Sequence, residues 1–166
     1  MKLEDGPIAL KEPQNYEARS NLMLCSTMAM NGFLRAGVPM DWAMHMISHE
    51  ITSLLGIPHA RALAILIEPY LNFCRNQKHD KLLQYSKRVW DIFEENDEKS
   101  IDLAIAKTLD FFKTLGFKTK LSDFGITKKE IEKLAKMLIS HQMVKLGENR
   151  SITPEIVLSF LEPYIL

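Results

Sequence analysis

Long segments with apolar residues at every third or fourth position dominate this sequence, and few residues interrupt them. Glycine and proline occur only seven times each in 166 residues, whereas average usage gives about 12% for the two together. A many-turned β-sheet needs more frequent turn residues, so this pattern favours helices. We therefore predict an all-α, multi-helix bundle of about seven helices.

The residues that start and stop helices define these segments. The predicted helices cover about 16–36, 41–56, 58–76, 80–93, 100–115 and 127–140, with a last short helix from 153. Residues 7–13 begin and end with proline, and we predict that they are extended. Because no repeat and no Gly/Ser linker divides the chain, we expect one helical domain over residues 1–166.

Charge and composition exclude several classes of partner. The 21 Lys and Arg residues balance 21 Asp and Glu residues, so no basic excess attracts nucleic acid or an anionic membrane surface. The longest apolar run, residues 62–67, is far shorter than the roughly 20 residues of a membrane helix. The N-terminus has no signal-peptide pattern and the two cysteines form no disulfide framework. We expect a cytoplasmic protein with neither nucleic-acid nor membrane partners.

The apolar side chains of the predicted helices are expected to build the core. Residues 62–67 are apolar all round, which predicts a helix buried on every side. Nine methionines lie mostly at helical spacing, and we expect them to fill gaps in the core. Trp42 and Trp90 are predicted to anchor the core.

Residues 36–60 differ from an ordinary solvent-facing helix, because they contain no Lys or Arg and only two charged residues, Asp41 and Glu50. On a helical projection one side is broadly apolar. The opposite side collects small polar residues and imidazoles: Asp41, His45, Ser48, His49, Thr52 and Ser53. A stripe of this kind fits a wall that faces an enclosed polar cavity or a bound ligand.

Three histidines cluster at this helix and the turn that follows it. His45 and His49 are four residues apart, which brings their β-carbons within roughly 5–6 Å, and His59 lies just beyond the turn. Neutral imidazoles so placed can converge on one metal ion or one substrate. Alternatively, the two histidines are ordinary helix residues that hydrogen-bond neighbouring carbonyls. A metalloprotease motif is excluded, because Met46 stands where that motif needs glutamate.

The segments DWAMHMISHEIT (residues 41–52) and GIPHA (residues 56–60) resemble the second signature of the iron-dependent alcohol dehydrogenases. Further similarity extends over the rest of the chain, including EDGP (4–7), ALKEP (9–13), LLQY (82–85) and LGEN (146–149). The resemblance is strongest to the branch that contains NADPH-dependent butanol dehydrogenases and aldehyde reductases.

This resemblance implies a metal site and a larger enzyme. In the family, a dinucleotide-binding domain precedes a helical domain, and an aspartate with three histidines holds one divalent ion, Fe²⁺ or Zn²⁺. His45 and His59 match two of these metal ligands. His49 matches a further histidine that lies near the nicotinamide and is proposed to act in proton transfer. We find no G-x-G-x-x-G loop here, so we expect residues 1–166 to correspond to the C-terminal part of the helical domain.

The implied reaction is hydride transfer between a nicotinamide cofactor and a small-molecule alcohol or aldehyde, with the metal polarising the oxygen. NADP(H) would bind only in a complete enzyme, and we expect the isolated chain to be inactive. Its partner would be a missing N-terminal chain or further copies in a homo-oligomer. Two alternatives remain open: a non-catalytic helical interaction or oligomerisation module, and a metal hydrolase that uses His45, His49 and Glu50.

Overall fold

The computed structural model describes residues 2–165. This part of the chain forms eight α-helices and three short 3₁₀ helices, without a β-strand, which confirms the all-α prediction. The α-helices are α1 (Lys2–Lys11), α2 (Tyr16–Met30), α3 (Ala43–Leu55), α4 (His59–Phe73), α5 (His79–Trp90), α6 (Asp97–Thr114), α7 (Lys128–Ser140) and α8 (Pro154–Leu161). The 3₁₀ helices are Phe33–Arg35, Leu121–Phe124 and Glu162–Tyr164.

The extra helix is α1, and the prediction that residues 7–13 are extended is wrong. Pro7 lies inside α1 and removes one backbone hydrogen bond there. Packing offsets this cost, because α1 lies along α2 and Gly6 approaches α6. A β-carbon at Gly6 would stand 3.6 Å from Leu115 and 3.7 Å from Phe111. Sequence patterns near Pro7 carry no information about that support.

The second helix ends earlier than predicted, at Met30 rather than near residue 36. The Asn31 amide still donates to the carbonyl of Thr27 at 2.9 Å. Gly32 then takes a φ of +86°, which is a left-handed conformation that glycine adopts without steric cost. The helix therefore ends six residues before the end near residue 36 that the Gly37 stop signal suggests.

Four pairs of consecutive helices pack against each other. The pairs are α1 with α2, α3 with α4, α5 with α6, and α7 with α8; α3 also packs on α7, and α4 packs on α6 and α8. The main core lies among α3, α4, α7 and α8. Its fully buried side chains include Ile47, Ile65, Leu66, Leu134, Leu138 and Leu161. A smaller cluster joins α5 to α6 through Leu82, Ile101, Ile105 and Leu109.

The core does not include all the side chains that sequence assigns to it. Met23, Met28, Met30 and Met40 are exposed, so the expectation that methionines fill core gaps is wrong for these four. Trp42 is 37% exposed and is not a core anchor. Trp90 is half-buried and its indole N–H donates to the Thr108 hydroxyl at 3.0 Å. Among residues 2–165, no helix combines the length and hydrophobicity needed to cross a membrane.

Candidate metal centre

The start of α3 is held in place by one carboxylate. The Asp41 side chain accepts hydrogen bonds from the Ala43 amide at 2.9 Å and from the Tyr70 hydroxyl of α4 at 2.6 Å. The Lys78 ammonium lies 3.0 Å from the same carboxylate, just before α5. Burial alone would raise the pKa of Asp41, but the bonds from Tyr70, Ala43 and Lys78 outweigh it and the pKa is lowered. This ionised group ties the first turn of α3 to its two neighbours.

A tight turn then places α4 beside α3. Gly56 ends α3 with a φ of +67° and donates its amide to the Thr52 carbonyl at 2.9 Å. Pro58 follows as the N-cap of α4, so the connection between the two helices contains only three residues, 56–58. His59, the first residue of α4, consequently faces the part of α3 that carries His45 and His49.

The three histidines converge. One nitrogen from each of the rings of His45, His49 and His59 lies within 4.8 Å of the other two. The Nε2 atoms of His45 and His49 are 3.0 Å apart, and the ring centroids of the three pairs are separated by 4.6, 4.7 and 4.5 Å. The alternative in which these histidines turn away from one another toward separate carbonyls does not describe this arrangement.

Electrostatics favour neutral imidazoles at His45 and His59. Burial lowers the pKa of His45, and repulsion from positive charge on His49 and His59 lowers it further. Burial and repulsion from His49 likewise lower the pKa of His59. A neutral ring keeps one nitrogen lone pair available for a metal ion. Imidazole nitrogens suit divalent iron or zinc, so His45 and His59 fit the metal implied by the resemblance.

Two further side chains touch the cluster, and the sequence pattern predicts a role there for neither of them. Ser48 is fully buried, with its hydroxyl 3.2 Å from Nδ1 of His59. The Trp42 ring meets His45 edge to face at a centroid distance of 5.2 Å. The Ser48 position on the polar stripe was visible in the sequence. Its contact with His59 was not, because it depends on how the Gly56 turn folds α4 back.

Glu50 lies away from the histidine cluster. It is buried, and its Oε1 atom is 2.9 Å from Nδ1 of His141, at the end of α7. It is not among the residues whose ligand atoms come together at His45, His49 and His59. The hydrolase arrangement of His45, His49 and Glu50 is therefore wrong: Glu50 points to the core side of α3 and links α3 to α7.

The fold and the site define the class of protein as an all-α domain in which three histidines converge at a helix junction. The family model described as the Fe-containing alcohol dehydrogenase family, C-terminal, matches residues 3–164. The chain belongs to the iron-containing alcohol dehydrogenase family, and the resemblance drawn from its sequence is confirmed.

Relatives and solved structures agree on the fold. The chain is 50% identical over 154 residues to the NADPH-dependent aldehyde reductase YqhD of Escherichia coli, covering 93% of this chain and 40% of that protein. It is 34% identical to NADH-dependent butanol dehydrogenase A of Clostridium acetobutylicum, covering 95% and 41% of the two chains. A crystal structure of Escherichia coli YqhD superposes with a TM-score of 0.94 at 48% identity, covering 98% of this chain and 42% of that one.

The more distant NADH-dependent butanol dehydrogenase A of Thermotoga maritima gives a TM-score of 0.87 at 25% identity, covering 99% of this chain and 43% of that chain. The helical arrangement is thus retained while three-quarters of the residues differ. The chain spans about two-fifths of the length of each of these relatives.

Proposed function

We propose that this chain is the C-terminal, metal-holding part of a NAD(P)H-linked alcohol dehydrogenase or aldehyde reductase. The observation that carries this proposal is the convergence of three imidazoles on one side of the α3–α4 turn. Family membership supports it, as do the relatives described as an NADPH-dependent aldehyde reductase and NADH-dependent butanol dehydrogenases. The substrate would be a small-molecule alcohol or aldehyde.

In this proposal His45 and His59 hold the metal, because both are half-buried and both have lowered pKa values. A divalent Fe²⁺ or Zn²⁺ ion bound there would supply Lewis-acid polarisation of the substrate oxygen. Two rings do not complete the coordination of such an ion, so further ligands would have to come from the remaining three-fifths of a full-length relative. Two imidazoles alone bind such an ion weakly.

His49 takes a different role. It is the exposed member of the cluster, and its Nε2 atom lies 3.0 Å from Nε2 of His45. An imidazole that reaches both solvent and the site can carry a proton between them, since each of its nitrogens accepts or donates. We assign His49 to proton transfer and not to primary metal ligation.

The isolated chain should not reduce aldehydes. A hydride donor needs a nicotinamide site, and the described helices contain neither the β-strands nor the Gly-rich phosphate loop of the usual dinucleotide-binding fold. NADP(H) would therefore bind only when an N-terminal dinucleotide-binding part completes the enzyme. Turnover by the purified chain on the order of 1–1000 per second would contradict this.

Metal titration tests the assignment directly. Metal-free protein is titrated with Co²⁺, which reports its ligands through visible absorption, and affinities of wild type and variants are compared. We expect His45→Ala and His59→Ala each to lower Co²⁺ affinity by at least tenfold. His49→Ala should bind Co²⁺ within a few-fold of wild type, because its proposed role concerns protons.

His79→Ala is the matched control. His79 begins α5 and lies beside Asp80 and Glu98 rather than the cluster, so its removal should leave Co²⁺ affinity unchanged. Equal affinity in wild type, His45→Ala and His59→Ala would refute the metal site. A loss in His49→Ala as large as in the other two would instead make His49 a ligand.

A second candidate function is a non-catalytic interaction module, which one observation supports. Large apolar side chains of α2 and the following segment, including Met23 and Phe33, are exposed, and Met30, Leu34 and Met40 line one apolar surface there. Monomeric proteins rarely leave such surfaces uncovered. Sedimentation of the purified chain tests this: stable self-association that persists in Phe33→Ser and Leu34→Ser variants would contradict an interface at this surface.

A further inference from the structure

The cluster contains one buried hydroxyl that touches a histidine, that of Ser48. Ser48 lies on α3, one residue before His49, and its side chain is fully buried. Its Oγ atom makes two contacts: one to the backbone carbonyl of His45 at 2.6 Å, and one to Nδ1 of His59 at 3.2 Å. It thus connects the backbone that carries one proposed ligand to the ring of the other.

The direction of these two hydrogen bonds follows from the atoms involved. A carbonyl oxygen only accepts, so the single hydroxyl hydrogen of Ser48 is donated to His45 across the 2.6 Å contact. Oγ then has only lone pairs left for the second contact. Nδ1 of His59 must be the donor there, and it must carry a hydrogen.

The position of that hydrogen decides which nitrogen of His59 can bind a metal. An imidazole that binds through one nitrogen keeps its hydrogen on the other. A hydrogen on Nδ1 leaves Nε2 with the free lone pair. Partners that fix the tautomer and the ring plane in this way are common around metal-binding histidines, and losing one typically costs 10–100-fold in metal affinity.

We propose that Ser48 is a positioning residue for His59, holding the ring in the Nδ1–H form so that Nε2 is the metal-binding nitrogen. Metal binding through Nε2 rests on the proposed function, whereas the hydrogen bond between Ser48 and His59 and the resulting tautomer need no metal. The hydrogen bond from Ser48 to the His45 carbonyl fixes the orientation of the Ser48 hydroxyl group.

The first experiment needs no metal. Long-range ¹H–¹⁵N correlation spectra of the ¹⁵N-labelled, metal-free chain distinguish a protonated from an unprotonated ring nitrogen. We expect His59 to show a protonated Nδ1 and an unprotonated Nε2 in wild type, and a mixture of both tautomers in Ser48→Ala. Wild-type His59 with its hydrogen on Nε2 would overturn the proposal.

The second experiment measures Co²⁺ affinity. Ser48→Ala is expected to weaken binding by roughly tenfold or more, and Ser48→Thr, which keeps the hydroxyl, should restore most of it. Ser86→Ala is the matched control: Ser86 is equally buried, and its hydroxyl likewise bonds the carbonyl three residues earlier, at 2.9 Å, but no histidine contacts it. The Ser86→Ala variant should lose about as much stability as Ser48→Ala and should keep the Co²⁺ affinity of the wild type.

The outcomes separate the two ideas. Unchanged Co²⁺ affinity in Ser48→Ala, or an equal loss in Ser86→Ala, would overturn the positioning role while the metal site stands. A wild-type chain that binds no Co²⁺ would refute the proposed function, and the tautomer spectrum would still test the contact between Ser48 and His59. If Ser48→Ala does not fold, the wild-type spectrum decides alone.

Discussion

The α1–α2 hairpin and the α3–α4 hairpin are built alike and buried very differently. Each consists of two helices that follow one another in the sequence and pack together. In α3 and α4, five and six residues are buried, and they face α7, α6 and α8. In α2 only Ala18 is buried, although the helix is as long as α4. Having an apolar side is therefore not what determines how firmly a helix is held.

The difference lies in what covers each hairpin. The apolar side chains of α3 and α4 meet other helices of residues 2–165, whereas Met23, Leu24 and Met30 of α2 remain exposed. A helix this short gains little stability from its own backbone hydrogen bonds, so tertiary packing decides. We expect α3 and α4 to unfold with the whole domain, and α1 and α2 to open at a much lower free energy.

Two alanine substitutions, one in each hairpin, should differ most in their effect on the free energy of unfolding. Leu66→Ala removes a fully buried side chain of α4 and should lower the free energy of unfolding by about 2–5 kcal/mol. Met23→Ala, at a position 71% exposed, should change it by less than about 0.5 kcal/mol. Urea unfolding followed by circular dichroism measures both. A loss for Met23→Ala that approached that of Leu66→Ala would show that α2 belongs to the cooperative core.

The next effect concerns the carboxylate that secures α3. Asp41→Asn should cost roughly 1–3 kcal/mol at neutral pH, because its bonds to Tyr70 and Lys78 lose their charge. The folded-state pKa of Asp41 is lowered, so its contribution is present above the unfolded pKa of about 3.9 and is lost as the pH falls through the folded pKa. Wild type should therefore lose its advantage over the variant on acidification.

Stability curves from pH 7 down to pH 2 check this. Asp110→Asn is the control, because Asp110 pairs with Lys113 on an exposed face of α6, where such pairs contribute little. If the difference between wild type and Asp41→Asn stays constant across this range, Asp41 does not stabilise α3 through its charge.

The contrast between the two hairpins also separates what sequence can predict from what it cannot. Helix type follows from apolar periodicity, and most boundaries follow from local signals such as Gly56 after α3 or Thr127 with Glu130 at the start of α7. The three histidines are grouped correctly for the same reason, since α3 fixes two of them and the Gly56 turn is short.

Features that depend on contacts between distant parts of the chain could not be predicted from the sequence. Pro7 signals an extended segment, and residues near it do not show that α1 packs along α2 and approaches Phe111 and Leu115 at the end of α6. The methionines of α2 have the same spacing as core residues, but no helix of residues 2–165 covers them. Glu50 follows His49 directly, yet the helix turns it toward His141. Periodicity identifies a face of a helix, not the partner of that face.

Metal binding should sharpen the difference between the hairpins. A ligand that binds only the folded state stabilises it by about 1.4 kcal/mol at tenfold excess over its Kd. We expect Zn²⁺ to slow amide hydrogen exchange in α3 and α4, which carry His45 and His59, and to leave exchange in α1 and α2 unchanged. Mass-spectrometric hydrogen exchange with and without Zn²⁺ tests this. Equal slowing in α2 would mean that both hairpins open together.

The smallest effect compares two identical helix caps. The Asn15 side chain accepts from the Ala18 amide at 3.1 Å to start α2, and Asn96 accepts from the Lys99 amide at 3.0 Å to start α6. Either bond is worth about 1 kcal/mol locally. Because α6 packs on α4 and α5, Asn96→Ala should lower the global free energy of unfolding by about that amount.

Asn15→Ala should lower the global free energy of unfolding by only a few tenths of a kcal/mol. The reason is that α2 is expected to open before the core unfolds, so a bond lost in α2 contributes little to global unfolding. The missing stability should appear locally, as about fivefold faster hydrogen exchange in the first turns of α2, the equivalent of about 1 kcal/mol. Equal global losses for Asn15→Ala and Asn96→Ala would place α2 within the same cooperative unit as α6, whatever its exposed surface.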